Sequence, residues 1–222
     1  MKKKNVGFTL VEIAIVLVII GLLLGGILKG QELINSAKVK SLVNDLKVTA
    51  SHVYAYQDRF KAMPGDDPRA DTNLSSGTKA STPAATLGNG RIEGTWNSTA
   101  ATDESFLFWQ HIRLANLATG PTAVAAADYR HLNSENGNVG ITGAAVLTAP
   151  TQPFNGAFFV CTGNISGRFA RQIDQTMDDG NPATGAVRVL TGNNAATAAD
   201  AVALAAITGA NESAVFTVCA SF

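Results

Sequence analysis

The chain has 222 residues, 46% of them hydrophobic, and its 17 basic and 17 acidic side chains cancel to a formal net charge of zero. Nothing in that balance resembles the basic, clustered footprint of a nucleic-acid binder, so no nucleic-acid partner is expected. Three scattered histidines (His52, His111, His131), with no G-x-S-x-G, no phosphate-binding glycine loop and no H-E-x-x-H, supply no catalytic set, and no enzyme is expected.

Lys2, Lys3 and Lys4 open the chain, followed by Asn5-Val6-Gly7 and then Phe8-Thr9-Leu10-Val11-Glu12. Across residues 8–28 the one charged side chain is Glu12. As a helix these residues are about 31 Å long, one hydrocarbon core. The preceding lysines favour a cytoplasmic N-terminus. After the apolar run, Lys29-Gly30-Gln31-Glu32 reads as continuing helix rather than as the small-residue cleavage site of a secretory signal. The processing point that fits lies before the run, at Gly7. Cutting there exposes an α-amine on Phe8, four residues from Glu12, and amine and carboxylate can neutralise each other in a membrane or a packed helical core. An unpaired acid at the centre of such a helix costs about 2.5–3.5 kcal/mol. The plainer alternative is an uncleaved signal anchor with a stray acid. Gly21 and Gly25, then Gly26 and Gly30, form two G-x-x-x-G spacings, which suit close helix packing or soften the helix.

Beyond residue 28, Leu42, Leu46, Ala50, Val53 and Phe60, with Val39 and Val43 beside them, recur at helical spacing between lysines and Asp45. The pattern stops at Ala62-Met63-Pro64-Gly65. One helix of about fifty residues is therefore predicted, its 8–28 half apolar and its 29–62 half amphipathic. Residues 64–100 lack periodicity, and 72–86 reads as loop. A helix is predicted over 103–117, capped by Thr102 or Asp103, with Phe106, Trp109, Ile112, Arg113 and Leu117 as its stripe. Residues 118–153 read as loose. Strands are predicted at 156–161, 185–190 and 214–220, and a helix over 166–177, capped by Ser166 and closed by Asp178-Asp179-Gly180. Trp96 and Trp109 read as core or loop anchors. The fold class is α+β: the long helix packed on a small antiparallel sheet with additional short helices, residues 63–222 forming one globular domain.

Cys161 and Cys219 both fall in predicted strands. Export permits a disulfide, and the long loop it would close corresponds to roughly 4 kcal/mol of stabilisation. A buried thiol pair or a metal site are the alternatives, although two cysteines without clustered histidines make a poor zinc set. Three clusters invite a metal: Asp66-Asp67, Asn89-Gly90-Arg91-Ile92-Glu93 and Asp178-Asp179-Gly180-Asn181. None has EF-hand spacing, and turn chemistry accounts for them equally well. No cofactor is expected; for a calcium ion, Asp178 and Asp179 are the first candidates.

Gly7-Phe8-Thr9-Leu10-Val11-Glu12 after a short basic leader resembles the class III signal of type IV prepilins and type II secretion pseudopilins, and the similarity extends over roughly the first 60 residues. The resemblance implies a pilin-like fold, cleavage after Gly7 by a membrane prepilin peptidase, N-methylation of Phe8, and pairing of Glu12 with the Phe8 amine of a neighbouring subunit. It implies the inner membrane, the peptidase, other pilin or pseudopilin subunits and the assembly machinery as partners. The C-terminal domain would be periplasmic in the precursor and part of a surface or periplasmic filament after assembly. Many members carry a proline later in the span; this one has none. A C-terminal disulfide is common in pilins, and some pseudopilins bind calcium in a C-terminal loop. The segments 63–68 and 178–185 resemble those of some bacterial pilin-like proteins. Loss of residues 1–7 removes three lysines and leaves the side chains at −3. A pilus subunit and a secretion pseudopilin share all these features. The alternative of a different class is an uncleaved, membrane-anchored binding protein that does not polymerise.

Overall fold

The structure, a computed structural model, describes residues 9–83 and 86–222. Helix α1 runs from Leu10–Phe60, 51 residues, about 77 Å at the standard helical rise. Two compact units divide the chain, the first ending at Lys38 and the second being Val39–Phe222.

In the second unit the predicted stripe of α1 is buried at Val39, Leu42, Val43, Leu46, Ala50 and Val53. Tyr56 extends it, because its hydroxyl reaches a buried acceptor, Asp67 Oδ2, at 2.8 Å. Phe60 is only partly buried. The helix stops two residues before the predicted end: Lys61 turns left-handed (φ 56°) while its N–H still bonds the Gln57 carbonyl. The chain then enters a buried turn, Met63-Pro64-Gly65-Asp66-Asp67. Gly65 has φ +96°, and a β-carbon there would lie 2.3 Å from the Glu104 carbonyl oxygen, so no other residue fits. Its N–H donates to His111 Nδ1 (2.9 Å), and His111 Nε2 meets the Thr78 carbonyl at 2.8 Å. That pairing needs a neutral imidazole protonated on Nε2, which burial favours by lowering the His111 pKa. Asp67 also accepts the Asn73 amide (2.7 Å), and residues 70–73 form a single helical turn, α2 (Ala70–Asn73), where loop was expected from residue 72.

Helix α3 (Glu104–Leu114) is buried from Glu104 to Arg113. Asp103 stands at its N-cap, but its side chain does not cap the helix; it accepts the Ser98 hydroxyl (2.6 Å) instead. The helix ends three residues earlier than predicted, since Asn116 is left-handed (φ 59°) and the Leu117 N–H closes back on the Ile112 carbonyl.

Four antiparallel strands, β1 (Val139–Thr142), β2 (Phe159–Ser166), β3 (Val187–Thr191) and β4 (Val215–Ser221), lie in the order β1-β2-β4-β3. The strand β1 corrects the loose reading of 118–153: it is four residues long, contains Gly140, and pairs with β2 alone. The predicted strand at 156–161 starts later and extends to Ser166, where a shifted register between Thr162 and Ile165 feeds the chain into α4 (Gly167–Met177). Ser166 caps α4 as expected, accepting the Phe169 N–H.

Strand alternation divides the sheet into two faces. Val139, Ile141, Val160, Val187, Val189, Val218 and Ala220 join α1, α3 and α4 in the main core. Phe159, Cys161, Leu190 and Cys219 face the other way, covered by Trp96, Val146, Leu147 and Phe154 from irregular segments. Cys161 and Cys219 stand opposite each other on β2 and β4 and form a disulfide spanning 58 residues.

Two measurements follow from this core. Chain entropy makes the disulfide worth roughly 4 kcal/mol, so paired replacement of Cys161 and Cys219 by serine should lower the thermal midpoint by about 8–16 °C, read by calorimetry. Glu104 is fully buried, with Oε2 accepting the Glu93 N–H at 2.8 Å. Burial pushes its pKa up to about 7; that amide opposes the shift, while the Asp66 and Glu93 charges add to it. A carboxyl whose folded pKa is raised binds its proton more tightly folded than unfolded, so stability rises as pH falls from about 7 towards the unfolded value of about 4.3. The midpoint should therefore be higher at pH 5.5 than at pH 7.5, and Glu104→Gln should shrink that difference.

Candidate functional site

The first turn of α1 is built by a reciprocal pair. Glu12 Oε2 accepts the Thr9 backbone N–H (2.8 Å) and the Thr9 hydroxyl (2.7 Å), and Thr9 Oγ1 faces the Glu12 N–H at 3.3 Å. This is a capping box, and Thr9-Leu10-Val11-Glu12 carries its T-x-x-E signature, a signal the sequence reading passed over. Glu12 closes the exposed start of the helix. Both contacts fall on one oxygen, while a carboxylate offers about four acceptor positions. Gly7 and Phe8 lie outside the described residues.

From Leu10 to Leu28 every large apolar side chain is between 46% and 85% exposed. Among the described residues, α1 is the helix long and apolar enough to cross a membrane. A soluble surface seldom leaves more than a few hundred Å² of contiguous apolar area open, so this segment requires lipid or other helices around it.

The helix runs unbroken through Gly21, Gly25, Gly26 and Gly30, and a β-carbon at any of the four would meet nothing within 4 Å. Among the described residues, then, no other segment packs closely against these glycines. At about 100° per residue the two pairs point in directions about 140° apart. Glu12 and Gly30, 18 residues apart, fall five turns apart on one face, roughly opposite Gly21. Lys29 and Glu32 form an exposed ion pair (2.6 Å) just past the apolar run.

The other sequence candidates are dispersed. The acids of 66–67 and of 89–93 come together, but as structure: Asp66 accepts the Gly88 and Gly90 N–H groups, and Glu93 accepts the Thr86 hydroxyl. Asp178 accepts the Val187 N–H (3.0 Å), and Asp179 accepts the Asn181 N–H (2.8 Å) and the Thr184 hydroxyl (2.5 Å). Asp174, one turn earlier on α4, joins them and was not singled out in sequence. His111 is a buried structural link, and the His131 ring lies tilted against Trp109, 5.1 Å between centroids. Trp96 and Trp109 are both core residues.

Residues 2–28 match the family described as the prokaryotic N-terminal methylation motif. No curated protein and no solved structure matches the chain. The motif match, on a chain whose long apolar helix continues into a small antiparallel α+β domain, supports a type IV pilin-like family for this protein.

Proposed function

We propose that this chain is a structural subunit of a type IV pilus or a type II secretion pseudopilus, held in the inner membrane as a precursor and incorporated into a filament after processing. One observation carries the reading: a bare apolar helix that opens on the methylation motif and continues, without a linker, into the core of the folded domain. A tethered enzyme or receptor more often follows its anchor with a flexible segment.

In this reading residues 1–7 are the leader, cleaved after Gly7 by prepilin peptidase, and Phe8 becomes the N-methylated terminus. Residues 8–28 are the membrane and assembly helix, 29–62 its amphipathic continuation, and 63–222 the periplasmic or extracellular domain. The apolar helices bundle and shed lipid for one another. Two glycine pairs about 140° apart let each helix meet different neighbours on different sides, as a head-to-tail filament requires and a simple two-fold dimer does not. Glu12 keeps its cap and offers its remaining acceptor positions to the Phe8 amine of the adjacent subunit. In the low dielectric of the bundle that charge pair is favourable when complete and strongly unfavourable when one partner is missing.

Two experiments test this. Mass spectrometry of the N-terminal peptide from the native membrane should show a chain starting at methylated Phe8; a start at Met1 in cells with active prepilin peptidase would assign the chain to the membrane-anchored, non-polymerising class. Glu12→Ala and Glu12→Gln should both insert into the membrane, yet both should lower assembled filament by at least about tenfold. Glutamine still serves a capping box, so wild-type assembly of Glu12→Gln would leave Glu12 as a cap alone.

A further inference from the structure

The two halves of the disulfide stand in opposite electrostatic surroundings. Cys219 on β4 lies between Cys161 on β2 and, directly opposite it on β3, Arg188. Strand alternation puts all three on the face of the sheet that carries Leu190. The β-carbons of directly opposed residues are about 5 Å apart. Arg188 is only 2% exposed. Its Nη2 donates to the Pro153 carbonyl (2.9 Å), and its guanidinium carbon is 5.3 Å from the centre of the Phe154 ring, in the layer that covers the two cysteines. Its Nε and Nη1 are buried without a hydrogen-bond partner. Asp178, Asp179, Asp174 and Asp200 act on this charge through space, but none accepts from those two nitrogens. Buried donors are normally paired, so two open ones on one cation ask for an acceptor.

Cys161 has a different neighbour. Its partner on β1 is Gly140. A β-carbon at Gly140 would lie 1.9 Å from the Trp96 carbonyl oxygen, so that oxygen fills the place where a side chain would flank Cys161. A carbonyl oxygen is the negative end of its dipole and repels a thiolate. A guanidinium offers a thiolate both charge and donors. In the reduced chain the ionised form is therefore favoured at Cys219 and not at Cys161. Strands β3 and β4 are also consecutive, so Arg188 meets Cys219 by closing a shorter loop than the 58 residues between the cysteines. Cys219 is thus activated before β4 seats against β2 and encloses it. In the disulfide the thiolate is gone, which accounts for the two open N–H groups.

We propose that the disulfide is made in a fixed order: Arg188 activates Cys219, Cys219 takes the mixed disulfide with an external disulfide donor of the thiol–disulfide oxidoreductase class, and Cys161 resolves it. Cys219 gives its proton to solvent, and its thiolate attacks one sulfur of the donor disulfide. That S–S bond breaks, and the other donor sulfur leaves as a thiolate. Cys161, deprotonated in turn, attacks Cys219 Sγ, and the first donor sulfur leaves as a thiolate. The chain loses two electrons, and the donor gains them and takes up two protons to end as a dithiol. Only the presence of such a donor rests on the export proposed above.

The test uses the full chain, reduced and unfolded in urea, then diluted into dodecyl maltoside micelles with oxidised glutathione at pH 6.5. Samples are quenched in acid over time and mapped by peptide mass spectrometry. A tenfold gain in thiolate costs about threefold in nucleophilicity, so Cys219 should carry glutathione about threefold more often than Cys161 in the earliest samples. With the urea retained, the ratio should be near one. Arg188→Gln should bring it to about one in micelles as well. The wild-type pH series decides if Arg188→Gln does not fold: the preference should fade by about pH 9.5, where both thiols are largely ionised. Equal labelling of the wild type at pH 6.5, a preference for Cys161, or a preference that survives in folded Arg188→Gln or at pH 9.5 overturns the order. None of these outcomes bears on the filament reading, which the mass of the N-terminal peptide tests separately.

Discussion

A single helix has to satisfy two surroundings, and most of the molecule follows from that. Helix α1 meets all its interior backbone hydrogen bonds by itself, which is what allows its first half to sit among hydrocarbon or other helices. Its side chains then change character along the same rod: apolar on every side up to Leu28, apolar on one stripe from Val39 onward. The folded domain is organised around that stripe. Leu42, Leu46 and Val53 are fully buried and share a core with all four strands of the sheet and with α3 and α4.

The end of α1 shows how the domain is joined to the helix. A run of five buried residues after Lys61 contains two acids, and each is answered by several donors: Asp67 by Tyr56, Arg69 and Asn73, Asp66 by two backbone amides of the 88–90 turn. Gly65 lets the turn press against α3, and His111 ties it to the Thr78 strand of loop. These contacts bring a long irregular segment into register without regular secondary structure. The same method covers the far face of the sheet, where Val146, Leu147 and Phe154 come from segments with no strand or helix of their own.

What the sequence carried clearly was whatever rests on periodicity or on a short local signal. The stripe of α1, the Ser166 cap and the strands bearing the two cysteines are of that kind. What it hid depends on contacts far along the chain. Strand β1 has four residues and one partner strand, too few for alternation to stand out. Tyr56 continues the stripe three residues after Val53, and the acceptor its buried hydroxyl needs, Asp67, comes from the turn beyond the helix. Asp103 looks like a cap, yet Ser98 claims its carboxylate. Asp174 falls on the buried face of α4, beside Ile173 and four residues after Ala170, an acid at a position the helical pattern assigns to the core. At the start of α1 the reverse holds: among the described residues Glu12 meets only its local cap and the four glycines approach no other segment, so the sequence pattern says more about them than the isolated fold does.

The order of the sheet also has a kinetic meaning. Strand β4 is the last of the four in the chain, yet it lies between β2 and β3 and carries the partner of Cys161. Until β4 emerges, β3 has no strand to pair with, and β2 has only the short β1. Assembly of this sheet therefore waits on its final segment, a long-range closure of the kind that slows folding and leaves strand edges open in the meantime. Until that last segment arrives, the domain is at its most vulnerable to proteases and to mispairing with its own copies.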